Sequence, residues 1–281
     1  FSNNRTIIVN GQLQSRAHTG IDLVVISISE PKICAVSSGK VVVAKAGQTG
    51  YGNYVVIEHN SEDGTTFYTL YGHMKQGSLM VAEGTDVKVG QVLGIMGSTG
   101  NSTGAHLHFE IRETESEYLL DPMPFLKTYL KDTRPPQIRS IAVYPIAGIV
   151  NNGYVRKDFS VIRQKNGIVT LSSPVTAWGK IVLGVKAYDY MNETSNIYGV
   201  YSIRLFVDDK IVYSSAIERF SFDKSRAVNS FIDYEDWIKR RSFIMRSYVA
   251  IGNYLPVYKD VVEQGCLLYT SPSPRDRSVS R

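Results

Sequence analysis

Cysteine is scarce, with only Cys34 and Cys266 in 281 residues. Two cannot build a disulfide framework, and neither has the Cys-x-x-Cys neighbour of a thiolate metal site. Cys34, inside the apolar run Ile33-Cys-Ala-Val36, reads as a small core residue. Long apolar runs are missing as well, which excludes a membrane-spanning helix in this sequence. No basic stripe with interleaved aromatics occurs, so nucleic acid is not an implied partner. Part of the net charge of +5 belongs to Arg275, Arg277 and Arg281, set against Asp276 at the very end. A leader segment is also lacking, and because the chain opens on Phe1, an export segment is expected upstream.

What the chain does have is alternation. Tyrosine numbers 18, and Val/Ile-rich runs of period two outnumber helical patterns, which points to an all-β chain. Short strands are expected at Lys40 to Ala46, Tyr51 to Glu58, Thr65 to Tyr71, Gln91 to Met96 and His106 to Arg112. Short glycine-bearing turns between them, such as Asn60-Ser-Glu-Asp-Gly64, predict an antiparallel sheet. Near the start, Thr6 to Val9 reads as a strand with a turn at Asn10-Gly11. Lys131-Asp-Thr-Arg-Pro135-Pro136 reads as a linker, since consecutive prolines stiffen the chain and cannot continue a sheet. The expected domains are therefore 1–131 and 137–265.

The second domain shows strand patterns at Ile138 to Tyr144, Lys180 to Tyr188, Tyr198 to Val207 and Lys210 to Tyr213, as in a β-sandwich of immunoglobulin-like type, without the Cys-Trp-Cys signature of a true immunoglobulin domain. A short helix is expected near Tyr234 to Arg241. Asp189 to Asn196 is read as a solvated loop, with a calcium loop the lesser reading. Residues 266–281 have no period of either kind and are read as a non-native tail, leaving the second domain cut short.

The histidines carry the chemistry. In Gly104-Ala-His106-Leu-His108-Phe-Glu110, strand alternation puts His106, His108 and Glu110 on one face and Leu107 and Phe109 on the other. A polar, solvated face is the plain reading of that stretch taken alone. Upstream, Arg16-Ala-His18-Thr-Gly-Ile-Asp22 sets an imidazole and a carboxylate four apart. With one histidine of the pair they make three protein donors, the count of a catalytic zinc site with an open fourth position. His73, in Leu70-Tyr-Gly-His73-Met, is a further imidazole suited to acid–base work. His59 falls where a strand meets its turn and reads as exposed. The loop of Gly97, Gly100 and Gly104 reads equally as a connection or as the rim of a cleft.

These residues resemble the lysostaphin-like (LytM-type) zinc endopeptidases, which cut peptides in bacterial cell walls. The likeness rests on His-x-Gly-x-Asp at 18–22, Tyr-Gly-His at 71–73 and Gly-x-His-Leu-His-Phe-Glu at 104–110. Ala35-Val-Ser-Ser-Gly39, Gly50-Tyr-Gly-Asn-Tyr-Val-Val-Ile57, Gly90-Gln-Val-Leu-Gly94 and Gly97-Ser-Thr-Gly100 stand between them in the family's order. The resemblance implies an antiparallel metallopeptidase domain in 1–131. It makes His18, Asp22 and His108 ligands of Zn2+, and His73 and His106 the catalytic imidazoles. His106 is taken as general base and His73 as oxyanion stabiliser, with the roles exchangeable. Glu110 would either orient a ligand imidazole or form an outward salt bridge.

The implied reaction is hydrolysis of peptidoglycan peptides through a metal-activated water, in the periplasm, the cell envelope or outside the cell. The two-domain layout favours D-Ala to diaminopimelate cross-links by analogy alone. Arg16 and Arg112 are the basic residues nearest the motifs for the diaminopimelate carboxylate. Residues 137–265 are expected to add nothing to the chemistry. The competing readings are a catalytically silent activator or scaffold of other wall hydrolases, and a wall-binding module with a structural zinc.

Overall fold

The computed structural model describes residues 4–9, 12–25, 27–192, 194 and 196–269. The expected Asn10-Gly11 turn, Glu193 and Ser195 of the 189–196 loop, and the tail beyond Tyr269 lie outside the described residues. The chain opens with the antiparallel pair β1 (Asn4–Val9) and β2 (Gln12–Ala17). Then come β3 (Ile21–Leu23), β4 (Lys32–Cys34), β5 (Gly39–Lys45), β6 (Asn53–Asn60), β7 (Thr66–Met74), β8 (Asp86–Val87), β9 (Val92–Ile95), β10 (Leu107–Glu113), β11 (Leu119–Leu120) and one turn of helix, α1 (Met123–Leu126). After them lie β12 (Gln137–Val150), β13 (Lys157–Arg163), β14 (Val169–Leu171), β15 (Ala177–Tyr188), β16 (Ser202–Val207), β17 (Lys210–Ala216) and β18 (Arg219–Phe220). α2 (Val228–Phe231), α3 (Tyr234–Arg240), β19 (Met245–Arg246), β20 (Tyr258–Val261) and β21 (Leu267–Tyr269) complete the described elements. Every strand pairing among the described residues is antiparallel, so the all-β, antiparallel expectation holds.

Two compact units form. The first is His18–Leu130 together with Glu218–Asp223, and the remaining described residues make the second. This differs from a division at 131 and 137 in two segments. The β1–β2 pair counts with the second unit, and Glu218–Asp223 counts with the first because β11 has an open edge that β18 fills.

In the first unit the sheet order is β18-β11-β10-β7-β6-β5-β8, and β3 adds to β10 beside β11. Alternation along β10 sends Phe109 and Ile111 into a core with Val55, Ile57, Tyr71, Met74 and Leu93, while His108 and Glu110 take the opposite face. Each large apolar side chain buried there contributes about 1.5–3 kcal/mol, enough to hold the strand in one register. The same alternation corrects the reading of Cys34: Ile33 of β4 and Ala35 just after it are buried in the core, and Cys34 between them is exposed.

In the second unit, β14-β13-β12-β15-β19 form one sheet with β21 also on β15, and β16-β17-β20 form another. Val143, Val150, Phe159, Ile181 and Leu267 of the first sheet share a core with Leu205, Val207 and Val212 of the second. β12 runs past the expected stop at Tyr144, because a register shift between Pro145 and Ala147 absorbs a proline that has no N–H to give. β21 falls inside the stretch read as a non-native tail: Leu267 is buried, and Leu267, Leu268 and Tyr269 pair with Ile181, Lys180 and Gly179. Three residues are too few to show a period. α3 begins where Asp233 accepts from the Asp236 backbone N–H, an ordinary side-chain cap.

Candidate metal centre

The site grows from the register of β10. His108 stands opposite Asp22 of β3 on one side and Gly72 of β7 on the other. Directly opposed residues in an antiparallel pair point to the same face, so the Asp22 carboxylate and the His108 imidazole meet. The approach of the chain into β3 requires glycine, since a Cβ at Gly20 would lie 2.1 Å from the Phe109 carbonyl oxygen. That close passage lets His18 reach the same point four residues ahead of Asp22.

Three donor atoms then converge. His18 Nε2 lies 3.0 Å from Asp22 Oδ1, His108 Nδ1 lies 3.0 Å from the same oxygen, and the two nitrogens are 3.1 Å apart. Donors of a tetrahedral zinc with bonds of about 2.0–2.1 Å are about 3.3 Å apart, so the triangle is a slightly contracted face of that tetrahedron. A cation among the three atoms lets both imidazoles and the carboxylate present lone pairs at once. No other group of three or more histidine, cysteine, aspartate or glutamate side chains gathers this way among the described residues. The donor set fits zinc.

Behind His108 the geometry fixes its tautomer. Glu110, fully buried, accepts from His108 Nε2 at 2.8 Å and from the Tyr51 hydroxyl at 2.7 Å. With the proton on Nε2, Nδ1 turns a lone pair toward His18 and Asp22. Glu110 therefore faces inward, and the outward salt bridge does not form. Burial alone would raise its pKa, but the His108 hydrogen bond and the Arg112 charge outweigh it and hold the carboxyl at about 2. Arg112 reaches Glu110 Oε2 through Nε at 2.8 Å and through a terminal nitrogen at 2.6 Å. Burial raises the Tyr51 pKa, and the adjacent Glu110 carboxylate raises it further, so Tyr51 stays a donor.

The other two histidines flank this cluster. His73, at the end of β7 with φ of 60°, donates from Nδ1 to the Thr99 carbonyl at 2.8 Å. Burial, then neighbouring imidazoles, push its pKa down to about 4 despite that bond, which keeps the ring neutral with its lone pair on Nε2. His106 donates from Nδ1 to the Gly104 carbonyl at 2.7 Å, and its buried Nε2 has no hydrogen-bond partner. That nitrogen is 3.6 Å from Asp22 Oδ2. The structure thus brings His18, Asp22, His73, His106 and His108 together.

Over residues 16–122 the sequence matches the model of peptidase family M23. This chain carries an M23 peptidase domain. The lipoprotein NlpD/LppB homolog of Pseudomonas aeruginosa is 41% identical over 117 residues, 42% of this chain and 34% of that protein. The murein hydrolase activator NlpD of Salmonella typhimurium is 36% identical over 106 residues, 38% of this chain and 26% of that protein. The solved catalytic domain of lysostaphin, an antimicrobial peptidase from Staphylococcus simulans, is 36% identical, with 43% of this chain and 84% of that one covered and a TM-score of 0.34. This chain spans about a third or less of the length of the two curated relatives.

Within the M23 domain, the Gly97–Gly104 loop is a packed support. Thr99 gives its carbonyl to His73, its hydroxyl donates to the Met74 carbonyl at 2.7 Å, and the same oxygen accepts from Asn53 N–H at 2.9 Å. Gly100, at φ of 75°, lies so close to Gly52 that a Cβ would meet the Gly52 nitrogen at 2.3 Å. His59 is corrected from exposed to fully buried: β6 continues to Asn60, and the ring bonds the Ser38 carbonyl at 2.9 Å and Thr69 Oγ1 at 2.7 Å. Tyr51 and Thr99 were missed as supports because their hydroxyl and carbonyl roles carry no residue-type signature. Tyr51 reads from the sequence only as the start of a strand.

Proposed function

We propose that the M23 domain is a zinc-dependent endopeptidase that hydrolyses peptide bonds in peptidoglycan, the D-Ala to diaminopimelate cross-link above all. The observation that carries the reading is the pair of acceptor Nε2 atoms on His73 and His106 beside a three-donor cluster. His18, Asp22 and His108 hold the metal, and Glu110 keeps the His108 ring in the required tautomer. When bound, zinc supplies Lewis acidity, polarising a carbonyl and lowering the pKa of a water to about 7.

The protein's own groups then handle the protons. His106 Nε2 accepts a proton from the attacking water, and the ring so charged gains an N–H that donates to the departing amide nitrogen. His73 acts first as an acceptor that orients the water, since its Nδ1 proton is engaged by Thr99. Stabilising an oxyanion from Nε2 requires that nitrogen to be protonated, and a pKa near 4 opposes this. In this reading His73 takes the acceptor role in place of the oxyanion stabiliser named from the sequence.

Arg112 is not the reader of the diaminopimelate carboxylate, because Glu110 engages its guanidinium, and the Arg16 side chain lies outside the described residues. An envelope or exported location accords with the lipoprotein among the relatives. No helix among the described residues is long and apolar enough to cross a membrane. The second reading, a silent activator of other hydrolases, is favoured by the activator NlpD among the relatives. Mass spectrometry of products from two purified walls, one cross-linked through diaminopimelate and one through pentaglycine, tests both. Cleaved D-Ala to diaminopimelate bonds are expected. Release from neither wall by zinc-loaded protein would favour the activator.

A further inference from the structure

The sheet that carries the metal centre is completed from far along the chain. β11 pairs with β18, Leu119 opposite Phe220 and Leu120 opposite Arg219. Asp121 N–H donates to the Glu218 carbonyl at 2.9 Å, and Arg219 bonds Glu113 at 2.8 Å while lying over the Tyr118 ring. Phe220 and Leu119 are buried at this seam. Two residues beyond β18, the ring of Phe222 lies 4.7 Å from the guanidinium carbon of Arg112, whose distance to the Tyr51 ring is 5.8 Å.

Arg112 is the outer end of a chain of contacts that leads to the metal donors. Its guanidinium grips Glu110 Oε2 with two hydrogen bonds, Glu110 Oε1 accepts from His108 Nε2, and His108 Nδ1 faces Asp22 and His18. A charged pair of this kind is strong only while water is kept from it and the fork is held in plane. The ring of Phe222, itself partly exposed, lies over the guanidinium and attracts the cation to its face.

We infer that Phe222 is a positioning residue for the metal centre, acting through Arg112 and Glu110 on the His108 ring. The inference rests on reading His18, Asp22 and His108 as the zinc ligands. It assigns a task to a residue outside the 16–122 match to family M23. It runs against the expectation that residues 137–265 add nothing to the chemistry, and the test below decides between the two.

The test measures zinc affinity of the full chain by competition with a fluorescent chelator, alongside the visible absorption of the cobalt-loaded protein. Phe222→Ala and Phe222→Leu are expected to weaken zinc binding about tenfold, the lower end of losses seen when an outer-shell partner of a metal-bound histidine is removed. Both should alter the cobalt spectrum, whereas Phe222→Tyr keeps wild-type affinity and spectrum because it keeps the ring face. Phe222→Leu preserves apolar fill, so wild-type behaviour of that variant would reduce Phe222 to packing and overturn the inference. Unchanged affinity in Phe222→Ala would do the same. Failure of the wild-type chain to bind zinc would instead overturn the reading of the centre itself.

Discussion

The imidazoles of His73 and His106 stand 4.7 Å apart, and one loop sets the tautomer of both. Thr99 takes the Nδ1 proton of His73 and Gly104 that of His106, each through a backbone carbonyl. A carbonyl only accepts, so both rings are left with Nε2 as the acceptor. The glycine-rich stretch 97–104 thus sets both tautomers through its backbone, with the Ser102 hydroxyl a further 3.3 Å contact to His106 Nδ1.

The ligand and proton-transfer roles separate on substitution. Replacing His18, Asp22 or His108 with Ala is expected to abolish both zinc content and hydrolysis. His73→Ala and His106→Ala should keep one zinc per chain while hydrolysis falls about 10²–10⁴-fold. Metal analysis paired with muropeptide release checks this, and a His108→Ala protein with full zinc would sink the ligand assignment.

Glu110→Gln removes the charge that fixes the His108 tautomer and leaves Arg112 partly buried without its carboxylate. Zinc affinity is expected to drop about 10–100-fold. Unfolding free energy should fall by about 3 kcal/mol, the cost of stranding one member of a buried ion pair. Chelator competition and denaturant titration read the two effects independently.

His59 serves packing, not chemistry. His59→Ala should cost about 2–4 kcal/mol in stability through the cavity and the lost hydrogen bonds to Thr69 and Ser38. Zinc bound per folded chain should not change. Loss of zinc binding by a variant shown to be folded would return His59 to the site.

In the second unit, Arg156 bonds both Asp233 and Asp236 at 2.9 Å. Burial raises the Asp236 pKa, yet the Arg156 hydrogen bond and charge, with Ser242 and Arg240, bring it below its ordinary value. A carboxyl whose folded pKa is depressed lends stability above its unfolded value of about 3.9, and that contribution fades as pH falls through the folded value. Thermal melts should therefore show acid destabilisation below about pH 4 that is smaller in Asp236→Asn. An identical pH profile in the variant would contradict this.

How much was legible depended on the reach of the pattern. The shared face of His106, His108 and Glu110 follows from strand period alone; β10 realises it for His108 and Glu110, with His106 bridged to Gly97 just ahead of the strand. His18 and Asp22 were legible as donors by residue type and count, whereas the close approach at Gly20 that carries them to His108 shows only in the fold. Burial of His59 was hidden, since strand ends are uncertain by a residue or two and one residue of extension moved it into the interior. β12 was cut short on paper at Pro145, where a register shift in fact accommodates the ring. The pairing of Leu119 with Phe220 had no local signal whatever, because two-residue strands carry no period.

That last pairing bears on how the molecule is made. A chain that emerges N-terminus first presents His18 through Leu120 well before Arg219 and Phe220 exist to close the sheet. Until then the edge of β11 is an open template for other strands, and Arg112 has no ring from Phe222 above it. Closing across so long a separation is slow compared with forming the hairpins of β5, β6 and β7. The full shielding of the Arg112–Glu110 pair behind His108 then arrives only once residues 218–223 have been made.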